Sequence, residues 1–88
     1  MTIKVEVIGP NPPCKRCKKA EENAHKAAEK LRSEGLDITV SKVDVMSPKV
    51  MDKYGIMLTP GLAVNGVLKL QGKLPDKGVI ERLVRETL

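Results

Sequence analysis

Two cysteines separated by two residues frame the segment Cys14-Lys15-Arg16-Cys17, and this spacing suits thiol chemistry. A thiolate is the attacking species in disulfide exchange. A second thiol one helical turn away can displace the resulting mixed disulfide within the same molecule. The first turn of a helix has unpaired N–H groups and a partial positive charge, and both stabilise a thiolate. Cys14 is expected at such a helix start and exposed, with Cys17 facing inward. Lys15, Arg16, Lys18 and Lys19 crowd the same turn. Cations there oppose the helix dipole, so the helix alone would favour Asp or Glu. A local rule broken at a candidate site is a sign of function. Nearby cations favour Cys14 as thiolate and attract acidic surfaces.

Other uses of the pair are conceivable. Two inert buried cysteines fit poorly with polar neighbours at a loop-to-helix junction. A structural zinc site needs four ligands, and one pair plus His25 supplies three. His25 lies about 12 Å beyond Cys17 along a helix rising ~1.5 Å per residue, so it reads as a solvated helix residue. A zinc ion or iron–sulfur cluster shared by two chains through four cysteines, at a dimer interface, is the alternative to redox exchange. Thr59-Pro60 is the second informative site, because a proline that opens a strand removes a ladder donor and favours tight or cis geometry.

The elements that must position these residues follow from periodicity. Residues 2–8 alternate as a strand, with Ile3, Val5 and Val7 on one face and Lys4 and Glu6 on the other. Gly9 to Pro13 reads as a loop. From Cys14, a helix places Cys17, Ala20, Ala24, Ala27, Ala28 and Leu31 on one face, with Gly35 as its stop. A second strand lies within 37–44. Ser47-Pro48 then reads as a helix start, and that helix ends near Tyr54-Gly55. Strand, Asn65-Gly66 turn and strand form a hairpin over 62–70. A last helix begins near Pro75-Asp76 and carries Val79, Ile80, Leu83, Val84 and Leu88 on one stripe. The order β-α-β-α-β-β-α predicts an α/β fold, with a four-stranded mixed sheet and helices on both faces.

Composition bounds the rest. Eighty-eight residues predict one domain, 1–88. Tyr54 is the sole aromatic residue, which excludes a base-stacking platform for single-stranded nucleic acid. The net charge is +5, and four of the positive charges sit at residues 15–19. Elsewhere acids and bases are interspersed, so no nucleic-acid partner is expected. Two cysteines in so short a chain suit a reducing compartment. No run approaches the roughly 20 apolar residues of a membrane span. A cytoplasmic location and no membrane partner are expected.

Taken together, the stretches IGPNPPCKRCKK, KYGIMLTPGLAVNG and GKLP resemble the thioredoxin-like fold. Over residues 2–88 the chain is similar to the small archaeal and bacterial thioredoxin-like proteins termed redox-active disulfide proteins. The resemblance implies a thiol–disulfide oxidoreductase acting on protein disulfides and reduced by a flavoprotein reductase. Beyond the redox-active disulfide Cys14–Cys17 itself it implies no cofactor. Cys14 would be the attacking cysteine and Cys17 the resolving one. Pro60 would be the cis-proline that keeps metal away and lets the Thr59 backbone pair with substrate. Lys15 and Arg16 would join Thr59 and Pro60 in binding substrate. Met57, Leu58 and Gly61 would border an apolar groove, although simple core packing is the preferred reading for Leu58.

Some residues depart from the family pattern. Pro13 stands where thioredoxins carry Trp, and Lys15-Arg16 replaces Gly-Pro. No acid directly precedes the loop, and Glu6, the nearest carboxylate on that strand, is assigned with Lys4 to the more polar face. Gly72 is followed by Lys73, unlike the glycine and acid of glutaredoxins. Copper chaperones also place Cys-x-x-Cys between a first strand and a helix, but they end on a strand, whereas this chain ends on an amphipathic helix.

Overall fold

The computed structural model describes residues 2–10 and 15–88. Its elements are β1 (Thr2–Gly9), α1 (Lys15–Ser33), β2 (Asp37–Asp44), α2 (Pro48–Tyr54), β3 (Gly61–Val64), β4 (Val67–Gln71) and α3 (Lys77–Thr87). The strands form one sheet in the order β2-β1-β3-β4. β1 pairs parallel with β2 and antiparallel with β3, and β3 pairs antiparallel with β4. The sheet is therefore mixed, as the element order predicts.

Alternation along β1 divides the interior in two. Ile3, Val5 and Val7 join the alanine face of α1 and Ile80, Leu83 and Val84 of α3 in the larger core. On the opposite face, Ile8 packs with Val50, Met57 and Ala63, and with partly buried Tyr54 and Leu68. Helices thus cover both faces, α1 and α3 on one and α2 on the other. α1 buries four alanines together with Cys17 and Leu31. Side chains this small bring its axis close to the sheet and to α3. Two N–H groups of Arg32 donate to the Ile38 carbonyl at 3.0 and 2.7 Å, tying the end of α1 to β2.

The hairpin is set by its turn. Asn65 and Gly66 both adopt positive φ, 51° and 82°, the backbone of a tight turn whose twist matches paired strands. Asn65 also exchanges two bonds with β1. Its N–H donates to the Lys4 carbonyl at 2.8 Å, and its Oδ1 accepts the Lys4 N–H at 2.9 Å. In β4, Leu70 faces Leu62 but Leu68 faces Ala63, so Lys69 is an extra residue in a bulge. Without it Leu68 and Leu70 would share a face. With it, Leu70 reaches the larger core and Leu68 the smaller one.

Several boundaries and placements differ from the sequence reading. β1 continues through Gly9, because Ile8 and Gly9 still pair with Val43 and Asp44. Among the described residues α1 opens at Lys15. Ser47 holds the N-cap position ahead of Pro48, yet its hydroxyl makes no capping bond. Asp76 does cap α3, accepting the Val79 N–H at 2.8 Å. Leu88 lies beyond α3 and is exposed, so it leaves the apolar stripe. Glu81 is buried on that helix instead, with Lys30 and Lys77 at 3.7 and 3.5 Å. With Arg85 at 4.0 Å as well, three cations around its carboxylate offset part of the cost of burying a charge.

Leu31 is fully buried between α1 and the sheet. Leu31→Ala is expected to lower stability by about 2–5 kcal/mol through lost burial and a residual cavity. Urea denaturation should show a lower midpoint with an unchanged slope. A midpoint equal to that of the parent would contradict the packing described.

Candidate active site

Cys17 is the third residue of α1 and is wholly buried. Its helical register with Ala20 and Ala24 aims the sulfur at the end of β1. There it meets Gly9. A Cβ built on Gly9 would lie 2.7 Å from Cys17 Sγ and 3.1 Å from its Cβ. Only a glycine lets strand and thiol approach so closely. In the sequence Gly9 reads as the start of a loop, and a glycine at a strand end marks a close approach only once the facing residue is known.

Two tethers hold the segment after Gly9. The Val45 N–H donates to the Gly9 carbonyl at 2.9 Å, and Lys42 Nζ donates to the Pro10 carbonyl at 3.3 Å. Asn11, Pro12, Pro13 and Cys14 lie outside the described residues. The attacking role expected for Cys14 therefore falls there too. Lys15 and Arg16 are exposed on the first turn of α1. Arg16 Nη2 lies 3.5 Å from the Gly72 carbonyl, reaching from α1 toward the end of β4.

The Thr59–Pro60 peptide bond is cis, and Pro60 is almost fully buried. Gly61, the next residue, pairs with Ile8 across β1 and β3. Pro60 is therefore next in line beside Gly9, on the side of β1 away from β2. The carboxyl end of β1 thus gathers Cys17, the Thr59-Pro60 segment and the Lys42 tether. In open α/β sheets this end of the strands is where chemistry is placed.

The segment before Pro60 departs from expectation. Leu58 is not core: it is 69% exposed. Its N–H donates to Gln71 Oε1 at 3.1 Å, and its carbonyl accepts the Gly72 N–H at 3.1 Å. Its backbone is bound to the hairpin while the side chain lies over Gly72 at the surface. Met57 is buried, with its sulfur 2.7 Å from where a Cβ on Gly61 would stand. Met57 and Gly61 therefore pack inward, and Leu58 is the one of the three presented to solvent.

Glu6 is not on a solvated polar face either. It is half-buried beneath α2, where its Oε1 accepts the Tyr54 hydroxyl proton at 2.7 Å. Burial, followed by the hydrogen bond to Glu6 and its charge, pushes the Tyr54 phenol from 10.0 up to about 12. A cleft of about 440 Å³ beside this pair is lined by Val43, Ser47, Lys49, Val50, Lys53 and Tyr54. Its place on the α2 side of the sheet separates it from Cys17. His25 is exposed on α1, with Glu21 at 3.6 Å, as expected for a solvated helix residue.

Two measurements test this geometry. Gly9→Ala should displace Cys17, costing about 1–3 kcal/mol by overpacking, and should slow closure of any disulfide that uses Cys17. An unchanged denaturation midpoint would contradict the contact. Tyr54 ionises on its own signal, being the only tyrosine. Its tyrosinate absorbance should rise at about 12 instead of 10.0. Because the folded state holds this proton more tightly, its stabilising contribution is whole below pH 10.0 and is lost toward about 12. Tyr54→Phe should remove that alkaline loss, whereas ionisation at 10.0 would contradict the Glu6 bond.

The family pattern described as thioredoxin domain matches residues 1–85. A thioredoxin of Methanothermobacter thermautotrophicus (strain Delta H) is 30% identical over 82 residues, covering 93% of this chain and 97% of that one. A probable thioredoxin of Methanothermobacter marburgensis (strain Marburg) is 36% identical over 74 residues, covering 82% of this chain and 81% of the relative. With its mixed four-stranded sheet, a helix-borne cysteine on the first strand's end and a cis-proline beside it, the chain belongs to the thioredoxin family.

Proposed function

We propose that this protein is a thiol–disulfide oxidoreductase, an electron carrier that reduces protein disulfides through Cys14 and Cys17. One observation carries the reading: the buried Cys17 sulfur sits on Gly9, next to the cis Thr59–Pro60 bond, at the carboxyl end of the central strand. Membership of the thioredoxin family supports the same chemistry.

In the proposed reaction the Cys14 thiolate attacks one sulfur of a substrate disulfide. The Cys14–substrate bond forms, and the other substrate sulfur leaves as a thiolate that takes up a proton. Cys17 then gives up its proton and attacks the Cys14 sulfur. A Cys14–Cys17 disulfide forms and the second substrate thiol is released. Two electrons have passed to the substrate, and a flavoprotein reductase returns two electrons to the pair. No cofactor beyond this disulfide takes part.

The chain's other residues fit supporting roles. Thr59 offers its backbone to an extended substrate segment, and Pro60 shapes the surface beside it. Leu58, exposed next to them, gives that segment an apolar contact. Lys15 and Arg16, exposed on the first turn of α1, favour the Cys14 thiolate and draw in acidic substrate surfaces. The protein works as one domain, residues 1–88, in the cytoplasm. No described helix is long and apolar enough to cross a membrane.

The test uses trapping. Cys17→Ser should accumulate mixed disulfides with cellular proteins through Cys14, and Cys14→Ser should accumulate none. The parent protein, recycled by a thioredoxin reductase, should reduce insulin disulfides. No trapped protein and no insulin reduction would refute the assignment. One metal per two chains in anaerobically purified protein would favour a metal or cluster module.

A further inference from the structure

Leu58, Thr59 and Pro60 lead into β3 without belonging to it, so no regular strand pairing holds their backbone. Consecutive residues at the end of β4 hold it instead. Gln71 pairs with Gly61 across the hairpin, and its side chain extends toward the preceding segment, where Oε1 accepts the Leu58 N–H at 3.1 Å. The Gly72 N–H donates to the carbonyls of both Leu58 and Pro60, each at 3.1 Å. The backbone is therefore tied on both sides of Thr59. Among the described residues, the N–H and carbonyl of Thr59 itself make no backbone bond.

Of these ties only one comes from a side chain. The Gly72 bonds are set by the path of the chain, whereas the Gln71 bond depends on which residue stands at 71. Gln71 is exposed, and a hydrogen bond at the surface adds little net stability, because water replaces it when it is lost. Its main effect is on orientation. It fixes the peptide between Met57 and Leu58 and, with the Gly72 bonds, stops the Thr59 backbone from turning. The first turn of α1 closes on the same corner, with Arg16 Nη2 at 3.5 Å from the Gly72 carbonyl.

We infer that Gln71 is a positioning residue for protein substrates: by holding the Leu58 N–H it presents the Thr59 backbone to an extended substrate segment in the orientation that aligns the substrate disulfide with Cys14. This rests on the oxidoreductase reading and adds a discrimination between substrates. In the first step the Cys14 thiolate bonds to one substrate sulfur while the disulfide bond breaks, and the other sulfur leaves with the electron pair. The attacking, central and leaving sulfurs must lie close to one line at that moment. A protein disulfide is brought onto the line by the chain that carries it, so a loose Thr59 backbone lowers the fraction of encounters that are aligned. A small disulfide without a peptide backbone takes nothing from Thr59. Gln71 therefore raises the rate for protein disulfides and leaves small ones alone.

The experiment mixes the pre-reduced full chain with insulin or with hydroxyethyl disulfide at physiological salt, and reads single-turnover rates by acid quench, alkylation and mass. No reductase is present, so its own docking does not enter the rate. Gln71→Met should lower the insulin rate about three- to tenfold and leave the small-disulfide rate within about twofold. Gln71→Glu keeps an acceptor and should return the ratio of the two rates to within about twofold of the parent. If Gln71→Met does not fold, Gln71→Ser is read in the same way. Equal loss on both disulfides, loss on neither, or a glutamate variant as impaired as the methionine one overturns the inference. A parent protein that reacts with both disulfides while Gln71→Met keeps the parent ratio defeats only the role of Gln71. A parent protein that leaves insulin untouched defeats the oxidoreductase reading and this role together.

Discussion

The contact between the Cys17 sulfur and Gly9 governs how α1 can lie on the sheet. α1 begins two residues before Cys17, so the height of its first turn above β1 is set where thiol and strand meet. Four buried alanines then let the rest of the helix follow the strand at the same close distance. A bulkier residue at position 9 would lift the first turn while the alanines still pulled the rest inward. The same contact brings the sulfur to the end of β1, an inner strand paired on both sides. Position in the sheet and chemistry at the site are thus fixed by a single absence, that of a side chain on Gly9.

Much of this arrangement was legible because its signals are local. The period-two apolar pattern of β1, the alanine stripe of α1 and Asn65-Gly66 each report on a few adjacent residues, and all three describe the elements found. What escaped depends on how distant segments register. Glu6 alternates with Val5 and Val7 as expected, but nothing near it in the chain says that Tyr54 will cover that face. Leu58 has a core residue's composition. It is exposed because its backbone is engaged by Gln71 and Gly72, which turns the side chain outward. Lys42 looks like one of many surface lysines until the parallel pairing sets it opposite Val7.

The site itself divides along the same line. Cys17 facing inward, and the order of cysteine pair, Thr59-Pro60 and hairpin, could be read from spacing. The value of Gly9 could not, since a glycine after a strand also fits a simple turn. Basic residues at 15–19 are visible at once, whereas the half-burial of Lys42 against the Pro10 carbonyl is not. Charge in a sequence is a total, but its effect on a thiol depends on which side of the sheet it occupies and how firmly it is held.

The extra residue in β4 has a bearing beyond the two cores it serves. β4 is an outer strand, so its far side offers backbone groups to whatever approaches. The bulge interrupts that row at Lys69, and the exposed lysine there adds a charge that an incoming strand would have to bury. Such an edge discourages pairing between chains. The protein's surface can be visited at the cysteine end without the sheet recruiting a neighbour along its side and growing into an aggregate.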